Sequence, residues 1–115
     1  MDTIFSSASS SQKSAIKIIR VSGSETKKIP KIFGFKPTQP RVASLRKMYD
    51  LNHNIIDNAL IIYFPGPNTV TGEDVIEFHI HGSIVIEKKI YDVLTKLKGF
   101  RIAARGEFTK RAFLN

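Results

Sequence analysis

The 115-residue chain contains no cysteine and no tryptophan, and it has only 10 acidic residues against 18 lysines and arginines. The absence of cysteine excludes disulfides, thiol nucleophiles and cysteine-based zinc sites. No apolar run approaches the ~20 residues that a membrane-spanning helix needs, so we predict no membrane association. The opening residues lack the basic-then-apolar layout of a secretory signal, and we therefore predict a cytoplasmic protein.

The residues that are present are sufficient for one folded domain, which we predict to span residues 1–115. Hydrophobic residues make up 42% of the chain, a fraction typical of a globular protein with a core. The net charge of +8 favours contact with a polyanion such as RNA. Dispersed lysines are, however, also typical of a surface that is only solvated.

The stretch GEDVIEFHIHGS, residues 72–83, alternates strictly between apolar and other side chains. This period of two predicts a half-buried strand. One face of the strand carries Ile76, Phe78 and Ile80. The other face carries Val75, Glu77, His79 and His81. The pattern leaves open whether the second face is solvated, binds a metal or lines a ligand pocket.

The rest of the chain predicts strands and helices in loose alternation. Strands are predicted at residues 2–7, 15–22, 41–50, 55–64 and 100–105. Residues 41–64 form a hairpin, and residues 6–14 form a Ser-rich loop. Pro30 shortens any helix near it. Apolar spacing predicts a helix over 83–99, capped by Gly99.

A last helix is predicted to begin within residues 106–115, with an inward face made of Phe108, Ala112 and Phe113. Because helices and an antiparallel hairpin occur together, the sequence predicts an α+β fold. We expect a single mixed β-sheet with helices packed on it.

Catalytic and metal chemistry find little support in the sequence. Glu77, His79 and His81 are zinc and iron ligand types, but on one strand the first and third lie ~13 Å apart at ~3.3 Å per residue. We therefore predict no metal site. Neither a Gly-x-Ser-x-Gly elbow nor a phosphate-binding Gly-x-x-x-x-Gly-Lys-[Ser/Thr] loop occurs, so no catalytic residue is assigned. For Glu73 and Asp74 we favour capping of a turn or helix.

Two charged residues interrupt otherwise apolar strands. Arg20 follows Ile16 and Ile18, and a buried guanidinium is costly unless it meets an anion; at a strand edge it would simply reach water. Glu77 needs hydrogen-bond donors, and a carboxylate accepts two parallel N–H groups well. A pterin ring offers such a pair, and the arginine could bind a carbonyl or carboxylate of the same ligand. From the residues alone, a pterin is one ligand among several.

Five segments carry a family resemblance. The two longest are FPGPNTVTGEDVIEFHIHGS at 64–83 and GEFTKRAFLN at 106–115. DTI at 2–4, IIRVSG at 18–23 and PRVASL at 40–45 match in the same order. Together they resemble the N-terminal domain of the tRNA-modifying GTPases of the MnmE (TrmE) family, over nearly the whole chain.

The resemblance implies a domain that is similar to the folate-binding domain of aminomethyltransferases. Such a domain binds a 5-formyl-tetrahydrofolate-type one-carbon carrier and forms a homodimer. In the family, a helical domain and an inserted G domain follow, and GTP hydrolysis requires magnesium and potassium. With a flavin-dependent partner protein, the full-length GTP hydrolase builds a carboxymethylaminomethyl group on the wobble uridine of tRNA.

The same resemblance implies that Arg20 and Glu77 contact the folate. A third family contact, a lysine just past the closing asparagine, would fall beyond Asn115. His81 matches the family's His-Gly turn, where we expect a structural role. Two alternatives stay open, namely a basic RNA-docking module without folate and a bare oligomerisation domain.

Overall fold

The computed structural model describes residues 2–8 and 16–115. In this part of the chain, the strands form one sheet in the order β3-β4-β5-β2-β1-β6. The strands are β1 Thr3–Ser7, β2 Ile16–Ser22, β3 Ser44–Tyr49, β4 Ile55–Phe64, β5 Val75–His81 and β6 Phe100–Ile102. The helices are α1 Ile29–Ile32, α2 Ile84–Thr95 and α3 Glu107–Leu114, and a 3-10 turn at Thr26–Lys28 precedes α1.

The sheet is mixed, since β1 and β6 are parallel while the other neighbouring strands are antiparallel. The predicted α+β fold with a single mixed sheet is therefore confirmed. The predicted hairpin is also present, with β3 paired to β4. Residues 9–14 of the predicted Ser-rich loop lie outside the described residues.

The core lies between one face of the sheet and the helices α1 and α2. Phe33, just after α1, and Phe78 in β5 are fully buried, and their rings meet edge to face with centroids 5.5 Å apart, a favoured aromatic geometry. The residues of β5 in this core are Ile76, Phe78 and Ile80. The apolar face predicted from the alternation in residues 72–83 is thus confirmed.

Helix α2 packs its apolar stripe on the core as predicted, but it is shorter than the pattern suggested. Ser83 caps its N-terminus by accepting hydrogen bonds from the backbone of Val85 and Ile86, a stabilising arrangement. Its C-cap is Lys96. Gly99 was predicted as the cap, but it lies in the turn into β6 with φ of +90°, a left-handed conformation that glycine adopts readily.

The inward face predicted for α3 is wrong for Ala112 and Phe113, whereas Phe108 is half-buried. Arg111 is 3% exposed, whereas Phe113 is 92% exposed and Ala112 is also exposed. The physical reason is that Arg111 forms ion pairs with Glu73 and Glu107, and this orientation turns the phenylalanine side outward. None of the helices in residues 2–8 and 16–115 combines the length and the apolar composition that a membrane span requires.

Candidate functional site

The two residues singled out from the sequence meet on the sheet face that points away from the core. Arg20 in β2 and Glu77 in β5 are direct partners in the antiparallel register. Arg20 Nε and Nη2 donate to Glu77 Oε2 at 3.0 and 2.8 Å. The two side chains keep 27% and 14% of their exposure, so water screens this pair only in part.

His79 holds the other oxygen of the same carboxylate. Its Nε2 lies 3.0 Å from Glu77 Oε1, because residues two apart in a strand point to the same face. Glu77 is therefore fixed from both sides, by Arg20 at Oε2 and by His79 at Oε1. The alternation predicted that His79 shares this face, but not that it is a partner of Glu77.

A cavity of about 450 Å³ opens beside this pair, and we call it the first cavity. It is lined by Glu77, Arg20, Arg41, Val75 and Phe64, and by residues 67–70 of the loop that follows β4. The cavity thus offers a carboxylate, two guanidinium groups and an aromatic ring. Such a combination suits a planar polar ring with paired N–H donors.

Arg41 ties the loop of the first cavity in place. Its Nη2 donates to the carbonyl oxygens of Asn68 at 2.6 Å and Pro65 at 3.4 Å. Its guanidinium carbon lies 5.7 Å from the centroid of the Phe64 ring, within the range of a cation–π contact. Arg41 therefore fixes the backbone that forms one wall of the cavity.

A buried polar network joins the far end of the same loop to α3. Glu73 accepts hydrogen bonds from Arg111 Nη1 at 3.0 Å and from Ser22 Oγ at 2.8 Å. Ser22 Oγ also lies 2.7 Å from Thr71 Oγ1. The capping role favoured for Glu73 is wrong, because its carboxylate is occupied by this arginine and serine. Asp74 does cap the turn, accepting from the Gly66 backbone at 2.8 Å.

His81 lies where β5 turns into α2. Its Nδ1 is 2.9 Å from Asp57 Oδ1, and its backbone N–H donates to Asp57 Oδ2 at 3.2 Å. These contacts support the expected structural role at the strand-to-helix corner. Among residues 2–8 and 16–115, no three histidine or acidic side chains converge as a possible metal site.

A second cavity, of about 340 Å³, lies on the other side of Arg20. It is lined by Ser6, Ser7, Ala8 and Arg20, and by residues 103–109, a segment that includes the start of α3. Arg20 is the residue that the linings of the two cavities share. The guanidinium of Arg20 thus lies between two hollows on one face of the sheet.

Glu107, in the first turn of α3, carries the most clearly shifted carboxyl of this region. Arg101 donates to its two oxygens at 2.8 and 2.6 Å, and these hydrogen bonds lower the pKa of Glu107 to about 2. Partial burial opposes the shift, whereas the Ala104 backbone N–H, 2.8 Å away, assists it. The carboxylate is therefore ionised and engaged over the physiological range.

The family model described as "GTP-binding protein TrmE N-terminus" matches residues 3–115. The chain belongs to this family. A similar protein, "tRNA modification GTPase MnmE" of Anaplasma marginale, is 44% identical over 115 residues, covering 99% of this chain and 26% of that protein. The protein of the same name from Wolbachia pipientis is 46% identical over 115 residues, with 99% and 26% covered.

A third relative with this name, from Phenylobacterium zucineum, is 41% identical over 114 residues, covering 99% of this chain and 25% of that protein. The chain therefore spans about a quarter of the length of the curated relatives it matches. The family match covers all six strands of the sheet. The pairing of β2 with β5 in this TrmE N-terminal domain brings Arg20 and Glu77 together.

Sequence reasoning missed three contributors to the site of this TrmE N-terminal domain. The family resemblance of residues 40–45 includes Arg41, but it does not predict the hydrogen bonds from Arg41 to the loop after β4. The acidic residues at 73 and 74 indicate a charged turn, but the neighbouring sequence does not predict that Arg111 forms an ion pair with Glu73. The alternating histidines resemble metal ligands in residue type, whereas His79 contacts the carboxylate of Glu77.

Proposed function

We propose that this domain binds a 5-formyl-tetrahydrofolate-type one-carbon carrier in the first cavity. The observation that carries the proposal is the Arg20–Glu77 pair, whose two side chains meet at the wall of a hollow of about 450 Å³. The family resemblance implies a folate contact for the same two residues. The carrier would supply a one-carbon unit, while the protein binds and orients its ring.

The hydrogen-bonding capacity of the pair fits a pterin ring. A guanidinium has about five N–H donors, and Arg20 directs only Nε and Nη2 to Glu77. Its Nη1 remains available for a carbonyl of the ligand. A carboxylate has about four acceptor sites, and His79 occupies one at Oε1. Two parallel ring N–H groups therefore require Arg20 to give up at least one bond to Oε2.

The proposal is tested by titrating the protein with 5-formyl-tetrahydrofolate and following binding by calorimetry. Glu77→Gln keeps the shape of the side chain but removes its charge and replaces one acceptor with a donor. We expect at least about a tenfold loss of affinity, since a hydrogen bond to a charged group contributes about 1.5–3 kcal/mol. Asp92→Asn, on the exposed face of α2, is the matched control. Equal affinities for the Glu77 variant and wild type would refute the proposal.

We further propose that the domain acts within a homodimeric, cytoplasmic tRNA-modifying GTPase. The support is the name that the relatives share, together with the proposal of a carrier site. In that whole protein, GTP, magnesium and potassium would bind outside this chain. A flavin-dependent partner protein would act with it on the wobble uridine of tRNA, which gains a carboxymethylaminomethyl group.

Homodimerisation is supported by exposed apolar residues on the same sheet face as Glu77. Ile16 and Leu60 are 54% and 42% exposed, and they are the strand partners of His81 and His79. Exposed apolar patches mark contact surfaces, and a second copy of the chain is the proposed occupant. Leu60→Glu should shift the dimer–monomer equilibrium toward monomer in light scattering at varied concentration. Wild type that stays monomeric throughout would contradict this.

A basic RNA-docking module without folate remains the second candidate, and the net charge of +8 favours it. Salt dependence separates the two functions. The docking module would be favoured if the affinity for tRNA falls steeply with salt and 5-formyl-tetrahydrofolate gives no heat of binding in calorimetry. Salt-tolerant binding of the carrier with weak binding of tRNA would favour the folate site.

A further inference from the structure

The second cavity has the charge and the donors of an anion-binding site. Arg20 and Arg105 both line it, as do the hydroxyl-bearing residues Ser6 and Thr109. Phe108 and Thr109 also line it, and they occupy positions in the first turn of α3. Backbone N–H groups of a first helical turn have no partner within the helix. The lining of the cavity therefore includes two cations, hydroxyl groups and backbone N–H donors, beside the carboxylate of Glu107.

The acidic residue of this cavity is already neutralised. Glu107 accepts bonds from Arg101 and from Arg111 Nη2, the latter at 3.3 Å, so its charge is balanced by two guanidinium groups. Arg105, by contrast, forms no ion pair within the described ranges. The uncompensated charge around the second cavity is thus positive.

The two cavities are close enough to serve one ligand. Glu77, Arg20 and Ser6 are register partners on the three adjacent strands β5, β2 and β1. With a strand spacing of ~4.8 Å, the distance from Glu77 to Ser6 across the sheet is ~10 Å. Arg20 is the middle residue of this row, and its side chain borders both hollows. An elongated ligand can therefore lie across β2, with one end in each cavity.

We infer that the second cavity is the subsite for the glutamyl tail of the one-carbon carrier, with Arg105 as a specificity-determining residue. The inference rests on the proposed function, because the ring must lie against Glu77 for the tail to reach Arg105. Once ring N–H groups occupy Glu77, the bond that Arg20 gives up becomes available to the carboxylates of the tail. Charged carboxylates and guanidinium groups pair strongly, in a bidentate geometry.

The test compares two ligands on one set of proteins. The ligands are 5-formyl-tetrahydrofolate and 5-formyl-tetrahydropterin, which has the ring but no tail. Arg105→Gln is the test variant, and Lys98→Gln, an exposed residue in the turn before β6, is the control with the same charge change. Circular dichroism of each variant checks that the fold is kept.

We expect Arg105→Gln to weaken binding of the tailed carrier about tenfold, the size of one lost charged hydrogen bond, and to leave binding of the tailless pterin unchanged. Addition of γ-linked glutamates should strengthen wild-type binding but not that of the variant. An equal effect on both ligands, or no effect on either, would overturn the inference while leaving the carrier site intact. If wild type binds neither ligand, the proposed function itself fails, and the tail subsite fails with it.

Discussion

Arg20 places both of its hydrogen bonds to Glu77 on a single carboxylate oxygen, Oε2. The other oxygen, Oε1, is left to His79. This unequal division means that the carboxylate is held by two independent partners from two neighbouring positions of the sheet. Removal of either partner should leave the carboxylate partly oriented, whereas removal of Glu77 disconnects both.

Loss of the guanidinium should lower the stability of the fold by a moderate amount. We expect Arg20→Gln to reduce the free energy of unfolding by about 1–2 kcal/mol, because a half-buried carboxylate loses its charged partner but keeps His79. Urea denaturation measures the change. Lys47→Gln, at an exposed position of the edge strand β3, is the control and should cost less than about 0.5 kcal/mol. An unchanged free energy of unfolding for Arg20→Gln would mean that the Arg20–Glu77 pair does not stabilise the fold.

Arg111 should be the charged residue on which the position of α3 depends most. Its side chain is 3% exposed and bonds both Glu73 and Glu107. Arg111→Met should destabilise the protein by about 3 kcal/mol, since the part-buried carboxylate of Glu73 loses its guanidinium partner and Glu107 loses one of its two.

Lys110→Met is the control on the same helix, because Lys110 is exposed. Thermal and urea unfolding compare the two variants. A cost for Arg111→Met no larger than that of the Lys110 variant would show that this network does not hold α3.

Gly23 and Gly106 should respond differently to the same substitution. Both have positive φ, of 143° and 74°, but a Cβ at Gly23 would lie 2.7 Å from Thr3 Cα, whereas a Cβ at Gly106 meets nothing within 4 Å. Gly106→Ala should cost about 1 kcal/mol of backbone strain. Gly23→Ala adds a clash with backbone and should cost about 2–3 kcal/mol. Equal unfolding midpoints in urea would contradict this ranking.

Acid should weaken the protein partly through Glu107. The Arg101 guanidinium holds the pKa of Glu107 at about 2, below its ordinary value of 4.5. Because the folded-state pKa is lowered, this contribution is complete above the unfolded pKa and is lost as pH falls from about 4.5 to about 2.

The prediction is checked by urea unfolding of wild type and Glu107→Gln at pH 7, pH 4.5 and pH 3. The difference in stability between the two proteins should shrink toward pH 3. A difference that stays constant over this range would rule out the proposed linkage to Glu107.

Local patterns predicted those parts of the fold that depend on the chain's own periodicity. The alternation in residues 72–83 assigned β5 and its two faces, and helical spacing assigned α2. Helical spacing failed for α3, because Phe108, Ala112 and Phe113 are the apolar residues that define a stripe in that segment. The orientation of α3 depends on Glu73, which lies 38 positions before Arg111 in the chain. A pattern read from the residues of α3 alone does not include Glu73.

The sequence by itself determined that Glu77 and His79 share a polar strand face and that Arg20 interrupts an apolar strand. Only the tertiary structure decided that these residues meet, because β2 pairs with β5 across a separation of 57 residues. The register of that pairing is set by the burial of both strands on the core. A slip of one residue would turn Arg20 toward the core and leave Glu77 without its arginine.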